Sequence, residues 1–440
     1  MTPITTQEFA EIVQGRLGGT PLESPVWISG FATDNREVNP GDLFIAIKGA
    51  KVDGHDFAAK AIAGGAALVL AERHVDGPHV LVNSVIEALA RFGRHFRDRF
   101  TGPVIGITGS AGKTTTKEFL AGAISPLGPI LKTQGNRNTE ITAPLLWPEL
   151  RPDTAAVVVE MAMRGAGQIA HLASFSRPTV GLITNIGWSH LSEVGSRLGI
   201  AKAKCELLDA LPDSGIAILP ADDEFFQVMA GHAGKRQIYT FGWSNECDCR
   251  LVGANPLGWE STEITGFFAD IPWRAEIQTL GRHIASNVAA AICAASALGL
   301  APQEAADGLS DVELPPMRMQ VLEQNGVKIL LDAYNASPAS MAGAIETFAS
   351  LPCDGKRVAI IGQMNELGDE SARAHRELAA LVQSKHLDYV ATFGPLWREH
   401  GLQEPAESFA ELQKLFSDLE PGDTILIKGS RSLELEKVLE

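Results

Sequence analysis

Long apolar runs are missing from this sequence. No stretch reaches the roughly 18 unbroken apolar residues of a membrane span, and residues 1–11 lack the basic-then-apolar order of a signal peptide. A cytoplasmic protein with no membrane insertion is expected. Cysteine is scarce: Cys205, Cys247, Cys249, Cys293 and Cys353 are odd in number and scattered, which fits reduced thiols better than a disulfide framework. Cys247-Asp248-Cys249 has the spacing of a metal pair but no second Cys/His pair beside it, so no zinc site is expected. Positive charge is in deficit, 37 Lys and Arg against 53 Asp and Glu, and the net charge of −16 makes nucleic acid a poor partner. An anionic substrate must then be met locally, by a metal ion or a few isolated cations. Internal repeats and low-complexity segments are absent as well. What remains is an ordinary globular composition, 45% hydrophobic and 20% charged over 440 residues, too long for one core and suited to two to four domains.

The most informative segment is Thr108-Gly109-Ser110-Ala111-Gly112-Lys113-Thr114-Thr115-Thr116, directly after the apolar run 104–107. Between a strand and a helix, such a turn lets backbone N–H groups converge on phosphate oxygens; the helix dipole, the Lys113 charge and the Thr114 hydroxyl, a potential Mg²⁺ ligand, complete the cradle. Ile107 occupies the place of the first Walker glycine, leaving G-x-x-G-K-T. Nucleotide binding follows.

Apolar runs at 43–47, 67–70 and 80–82 with a helical stretch at 56–63 describe a small α/β unit, and the basic segment 91–102 before Pro103 reads as a linker. Runs at 104–107, 155–159, 180–183 and 216–219 predict strands buried on both faces, hence a mostly parallel sheet. Residues 239–241 and 266–268 read as an antiparallel patch, and 285–298 as a small-residue helix. After Pro315-Pro316, runs at 327–331, 357–361, 389–393 and 424–427 alternate with helical stretches at 340–351, 372–384 and 408–419, a second Rossmann-like sheet. The fold class expected is α/β in three domains: 1–100, a small N-terminal unit; 101–312, a central P-loop ATPase-like sheet; and 313–440, Rossmann-like.

Ligands collect at the carboxyl ends of parallel strands. Glu160 ends one such run, Asn185 follows another, and His190 lies five residues further on; with Thr114 they suit Mg²⁺. Lys202 and Lys204 on a following helix read, by themselves, as a solvated face. Asp332 ends a strand of the third unit and could hold a ribose hydroxyl, whereas Asp222-Asp223 reads as a plain acidic turn.

These residues resemble the Mur ligases of peptidoglycan synthesis over nearly the whole chain. Thr33-Asp34-Asn35-Arg36, Pro40-Gly41-Asp42-Leu43-Phe44 and Asp53-Gly54-His55-Asp56-Phe57 are similar to the family's uridine-nucleotide domain, and the segment 107–117 to its ATP loop. Gly135-Asn136-Arg137-Asn138-Thr139-Glu140 resembles the stretch that contacts the muramoyl nucleotide. The resemblance assigns Gly109, Ser110, Ala111, Gly112, Lys113, Thr114, Thr115, Asn287, Arg318 and Asp332 to ATP, and Asn35, Arg36, Asp53, His55, Asn136, Asn138, Tyr334 and Asn335 to the other substrates. Thr114, Glu160, His190 and Lys204 are implied around magnesium, Lys204 as a carbamate made with CO₂ and Lys202 as its register alternative. Met317 stands where the family carries glycine before the arginine. Asp332-Ala333-Tyr334-Asn335-Ala336-Ser337-Pro338 points to the branch that adds a dipeptide.

The implied activity is ATP-dependent ligation of D-alanyl-D-alanine to UDP-N-acetylmuramoyl-tripeptide through an acyl phosphate, with Lys113, Glu160, His190 and Lys204 catalytic. ATP, two Mg²⁺ and the carbamylated lysine are the implied cofactors, and a monomer hinged near residues 311–316 the implied form. The competing readings are a sibling ligase adding a single amino acid and a non-catalytic sensor of UDP-linked wall precursors.

Overall fold

The computed structural model describes residues 3–19, 26–49, 52–189, 191–400 and 405–440. The chain forms two compact units. One comprises Met1–Gly106, Gly128–Met161 and Gln168–Pro178; the other Ile107–Leu127, Ala162–Gly167 and Thr179–Glu440.

In the first unit, Gly30–Ala32, Asp42–Ile45, Leu68–Ala71 and His79–Leu81 pair in parallel, and Arg16–Gly18 closes one edge antiparallel. Residues 91–97, read from sequence as linker, are instead the second half of the helix Val85–Arg97. Its apolar stripe, Val85, Ala88, Leu89, Phe92 and Phe96, is buried, and Ser84 caps its start by accepting the Glu87 N–H at 3.3 Å. The basic residues that hid this stripe close the carboxyl ends of neighbouring helices. Arg91 donates to Val13 O (3.2 Å) and Arg94 to Ser174 O (2.9 Å), while Arg97 donates to Ser176 O (2.7 Å) and Arg177 O (2.9 Å). Cations there satisfy carbonyls that have no intrahelical donor. In the same unit Ile130–Lys132 lies parallel to Ala156–Glu160.

In the second unit, Val180–Ile183, Ile216–Pro220, Gln237–Gly242 and Cys249–Leu257 run parallel, after which Cys249–Leu257, Ser261–Phe268 and Ile271–Ile277 form an antiparallel extension. Residues 239–241 thus belong to the parallel part, contrary to the sequence reading; only 266–268 lie in the antiparallel patch. Their aromatic, half-buried pattern resembles a hairpin strand, and the parallel register with Ile216–Pro220 is a nonlocal choice. The helix Ala285–Ala297, largely alanine and buried on most sides, packs on the helix Lys113–Ala123.

A separate five-stranded sheet in this unit has the order Gln320–Gln324, Val327–Asp332, Thr424–Lys428, Arg357–Gly362, Tyr389–Phe393, parallel except for the first strand. Ile329, Leu331, Val358, Ile360, Ile425 and Ile427 fill one face. Strand register then sets Asp332 directly beside Lys428 at the carboxyl edge, where α/β sheets bind ligands. Among the described residues no helix is long and apolar enough to cross a membrane.

Candidate active site

The fully buried strand Val104–Thr108 delivers the chain into the turn before the helix Lys113–Ala123. Two glycines make that turn possible. Gly109 and Gly112 have φ of 155° and 77°, and a Cβ on them would run into the Thr184 and Asn287 side chains respectively. Lys113 Nζ reaches back across the loop to donate to Gly109 O at 2.8 Å.

The loop is braced by the segment after Val180–Ile183. Asn185 accepts the Ala111 N–H on Oδ1 (3.0 Å) and donates Nδ2 to Ala111 O (3.1 Å), and its own carbonyl accepts the Ser110 N–H (3.0 Å). Gly187 N donates to Ser110 Oγ at 2.8 Å. Asn185, placed by sequence among the magnesium positions, therefore matches its amide to the backbone N–H and C=O of one residue of the phosphate loop, Ala111. His190 lies outside the described residues.

Sequence reasoning missed Asp223. Its carboxylate accepts the Ile186 N–H at 2.7 Å and the Phe225 N–H at 2.9 Å, while Arg197 donates to Ile186 O at 3.0 Å and pairs with Glu224. Both fix the segment that braces the loop. An Asp three residues past a buried strand was the available signal, but an acidic turn is common enough to hide it. Asp223→Ala is expected to cost about 2 kcal/mol in thermal unfolding, since it strips a buried N–H of its charged acceptor, and to lower ATP turnover about tenfold through a misplaced loop.

A cavity of about 170 Å³ gathers residues from distant stretches: Ala111, Gly112 and Thr115 of the loop, with Asn287, Arg318 and Asp332. Tyr334 and Asn335, assigned by sequence to the other substrates, line it as well. Thr116 Oγ1 donates to Asn287 Oδ1 at 3.2 Å. Arg318 stacks 4.2 Å from the Tyr334 ring centre and donates Nη2 to Thr114 Oγ1 at 3.2 Å.

His283 was also missed. It lines the cavity, and burial, aided by the Lys428 charge and opposed by Asp332, pushes its pKa down to about 4. Between pH 6.5 and 4 the unfolded chain binds more protons at this site than the folded one. The neutral imidazole's contribution is therefore complete above pH 6.5 and is lost as pH falls to 4, up to about 3 kcal/mol. Denaturant titrations across that window should fall with acid, and His283→Gln should flatten the fall.

Lys204 lies on the helix Arg197–Asp209 and is 1% exposed, whereas Lys202 is exposed. The solvated-face reading thus holds for Lys202 and fails for Lys204, because the helix turns position 204 inward. Burial first, and then the Lys113 charge, drive its pKa well below the usual amine range.

Within the first unit, Glu160 ends the strand Ala156–Glu160, 1% exposed, and accepts Asn138 Nδ2 on Oε1 at 2.8 Å. Asn136 is exposed, its carbonyl accepting the Asn138 N–H at 2.7 Å. Arg36 is forked onto Asp34, down to 2.5 Å, which holds the Asp34 carboxyl at about 2; Asn35 sits between them, half-buried. His55 is buried: Nε2 accepts the Glu72 N–H (2.9 Å), so Nδ1 carries the proton to Asp53 (2.6 Å). Both ring nitrogens are used inside the fold, and His55 orients Asp53.

Three Mur family models match the chain: the Mur ligase family catalytic domain over residues 28–97, the Mur ligase middle domain over 107–295 and the glutamate ligase domain over 317–431. The UDP-N-acetylmuramoyl-tripeptide–D-alanyl-D-alanine ligase of Bacillus subtilis is 35% identical, with 99% of this chain and 97% of that protein aligned. MurF from Acinetobacter baumannii superposes with a TM-score of 0.89 at 29% identity, covering 99% and 98% of the two chains. MurF from Thermotoga maritima in complex with ADP superposes with a TM-score of 0.81 at 32% identity, covering 93% and 96%. The phosphate loop, Asn287, Arg318 and Asp332 all fall inside the matched segments, and the likeness runs the length of the chain, which belongs to the Mur ligase family.

Proposed function

We propose that this chain is the ATP-dependent ligase that joins D-alanyl-D-alanine to the terminal carboxylate of UDP-N-acetylmuramoyl-tripeptide. The observation that carries the reading is the cavity joining Gly112 and Thr115 to Asn287, Arg318 and Asp332, in a chain aligned end to end with ligases of that name. A carboxylate resists attack by an amine because oxide is a poor leaving group. Transfer of the ATP γ-phosphoryl to it gives an acyl phosphate; the amine then forms the C–N bond, and phosphate leaves with the C–O electron pair. No protein nucleophile is needed. The chain's task is positioning and charge stabilisation.

In this reading the glycine turn presents N–H groups to the phosphates, Lys113 places a charge across them, Arg318 adds a second cation, and Asp332 holds the ribose. Thr114 in the second unit and Glu160 in the first are each an oxygen donor of the type a hard divalent cation takes, and the glycine turn forms only because Gly109 and Gly112 lack a Cβ. Bound Mg²⁺ would supply charge neutralisation for the transferring phosphoryl group. His190 and a Lys204 carbamate are proposed as further ligands, with two ions in all. A lysine kept neutral is the form that attacks CO₂: its nitrogen bonds the carbon, one proton is released, and the resulting anion attracts Lys113, where an ammonium would repel it.

Asn35, Arg36, Asp53, Asn136 and Asn138 are assigned to the UDP-linked substrate, with His55 supporting Asp53. The domain limits proposed are 1–100, 101–312 and 313–440.

The test is phosphate release from ATP with UDP-N-acetylmuramoyl-tripeptide and Mg²⁺, comparing D-alanyl-D-alanine with D-alanine, L-lysine and no acceptor. Release that requires the dipeptide, with the matching mass gain in the nucleotide, is the expected result. Release with a single amino acid alone would move the chain to a sibling activity, and none with any acceptor would favour a sensor.

A further inference from the structure

Lys428 has no part in the reaction as read so far. It ends the strand Thr424–Lys428, is 1% exposed, and lies in register between Asp332 and Ile361. Its three N–H donors meet three oxygens: Asp332 Oδ2 at 2.5 Å, Asn335 O at 3.1 Å and Asp332 O at 3.4 Å. An ammonium spent in this way serves the protein's own geometry.

The other oxygen of the same carboxylate does something different. Asp332 Oδ1 accepts the Met319 N–H at 3.2 Å. Met319 and Met317 have φ of 50° and 62°, a left-handed conformation that side chains disfavour and that persists only where the surroundings over-determine it. Two further tethers pin this turn: Met317 N–H donates to Gln320 Oε1 at 2.9 Å, and Met317 O accepts the Tyr334 N–H at 3.2 Å. Between the two strained methionines stands Arg318, held over the Tyr334 ring with Nη2 on Thr114 Oγ1. A connected series of contacts therefore runs from Lys428 through Asp332 to Met319 and, along the chain, to Arg318.

We propose that Lys428 is a positioning residue for phosphoryl transfer: by clamping Asp332 it holds the strained turn at 317–319 that aims Arg318 at the Thr114 hydroxyl. The proposal rests on the ligase reading. Arg318 serves the transferring phosphoryl group only if it is held in place when that group's charge redistributes. A turn free to relax would carry the guanidinium off target without altering what it is.

The experiment compares the full-length wild type with Lys428→Met, Lys428→Met/Met317→Gly and Gln320→Ala. It measures dipeptide-dependent phosphate release, normalised to sites counted by ADP binding. Lys428→Met should lower kcat about 30-fold, with KM for the dipeptide and for the UDP-linked substrate within about twofold. Glycine at 317 removes the left-handed penalty and should restore kcat to within about threefold of wild type. Gln320→Ala loosens the same turn without stranding a buried charge and should lower kcat about fivefold, so the question is answered even if Lys428→Met does not fold. A lysine that merely stabilises the sheet would leave kcat per ADP-binding site unchanged, and one that touches substrate would raise a KM and resist rescue by glycine. Either result, or a normal Gln320→Ala, overturns the proposal. A wild type without dipeptide-dependent release would sink the ligase reading and the proposal with it, a failure recognisable before any variant is made.

Discussion

Lys113→Ala is expected to lower kcat by at least about 10³-fold, roughly 4 kcal/mol of transition-state stabilisation, in a chain that still folds. Lys113 is the only formally charged side chain in residues 108–116, and it crosses the turn to Gly109 O, so its charge stands at the glycine turn itself. The wider protein cannot substitute for it, because a net charge of −16 repels a polyphosphate. The effect should fall on turnover more than on folding: the ammonium gives the turn one bond, to Gly109 O, while the Asn185 brace at Ala111 holds the loop without it. Phosphate release together with thermal unfolding checks both halves of the expectation. A loss smaller than about tenfold would mean that Arg318 or bound metal carries the phosphate charge unaided.

The second large effect is at Lys204, and its signature is a pair of opposite changes. Lys204→Met should abolish ligation, by about 10³-fold or more, because the proposed carbamate, and with it any metal it would orient, cannot form. The same substitution should raise the melting temperature at neutral pH in CO₂-depleted buffer, because a buried, repelled amine gives way to an apolar side chain of similar length. With the folded pKa depressed, the unfolded chain binds more protons below the ordinary lysine range, so the amine's cost to stability is greatest in acid and fades as pH rises. Activity should follow the same direction, falling as acid protonates the amine and returns the carbamate to CO₂. Labelled bicarbonate should give a carbamate carbon resonance in the wild type that is missing in Lys204→Met. Full activity in scrupulously CO₂-free buffer would remove the carbamate from the mechanism.

The reach of sequence reasoning differed from element to element for physical reasons. Apolar runs such as 180–183, 216–219 and 425–427 could be read as buried parallel strands because a strand covered on both faces tolerates few polar residues. The helix Val85–Arg97 was concealed because its arginines do structural work on carbonyls of distant segments, work that is invisible until those segments fold beside it. Residues 239–241 read as antiparallel in sequence and pair in parallel in the structure, because the two kinds of partner impose nearly the same pattern on a short aromatic run. Asp223 carries no local motif, and His283 and Lys428 stand in segments similar to the family's, 281–287 and 428–432, that give neither residue a role; their partners lie 37, 49 and 96 residues away, at Ile186, Asp332 and Asp332 again.

What the sequence by itself determined is the chemistry available: a glycine turn suited to binding phosphate through its backbone, a lysine and a hydroxyl at its helix end, and most of the strands and helices that surround it. Those properties are encoded over a few adjacent residues, where the absence of a Cβ or the presence of a charge acts at once. Only the tertiary structure decided which of two neighbouring lysines is buried, that His55 faces inward to hold Asp53, and that Arg318 is aimed at Thr114 by a strained turn clamped through Asp332. Burial, charge coupling and strain are properties of neighbours, and the neighbours of Lys204, His55 and Arg318 are brought to them by chain crossings that no local pattern records.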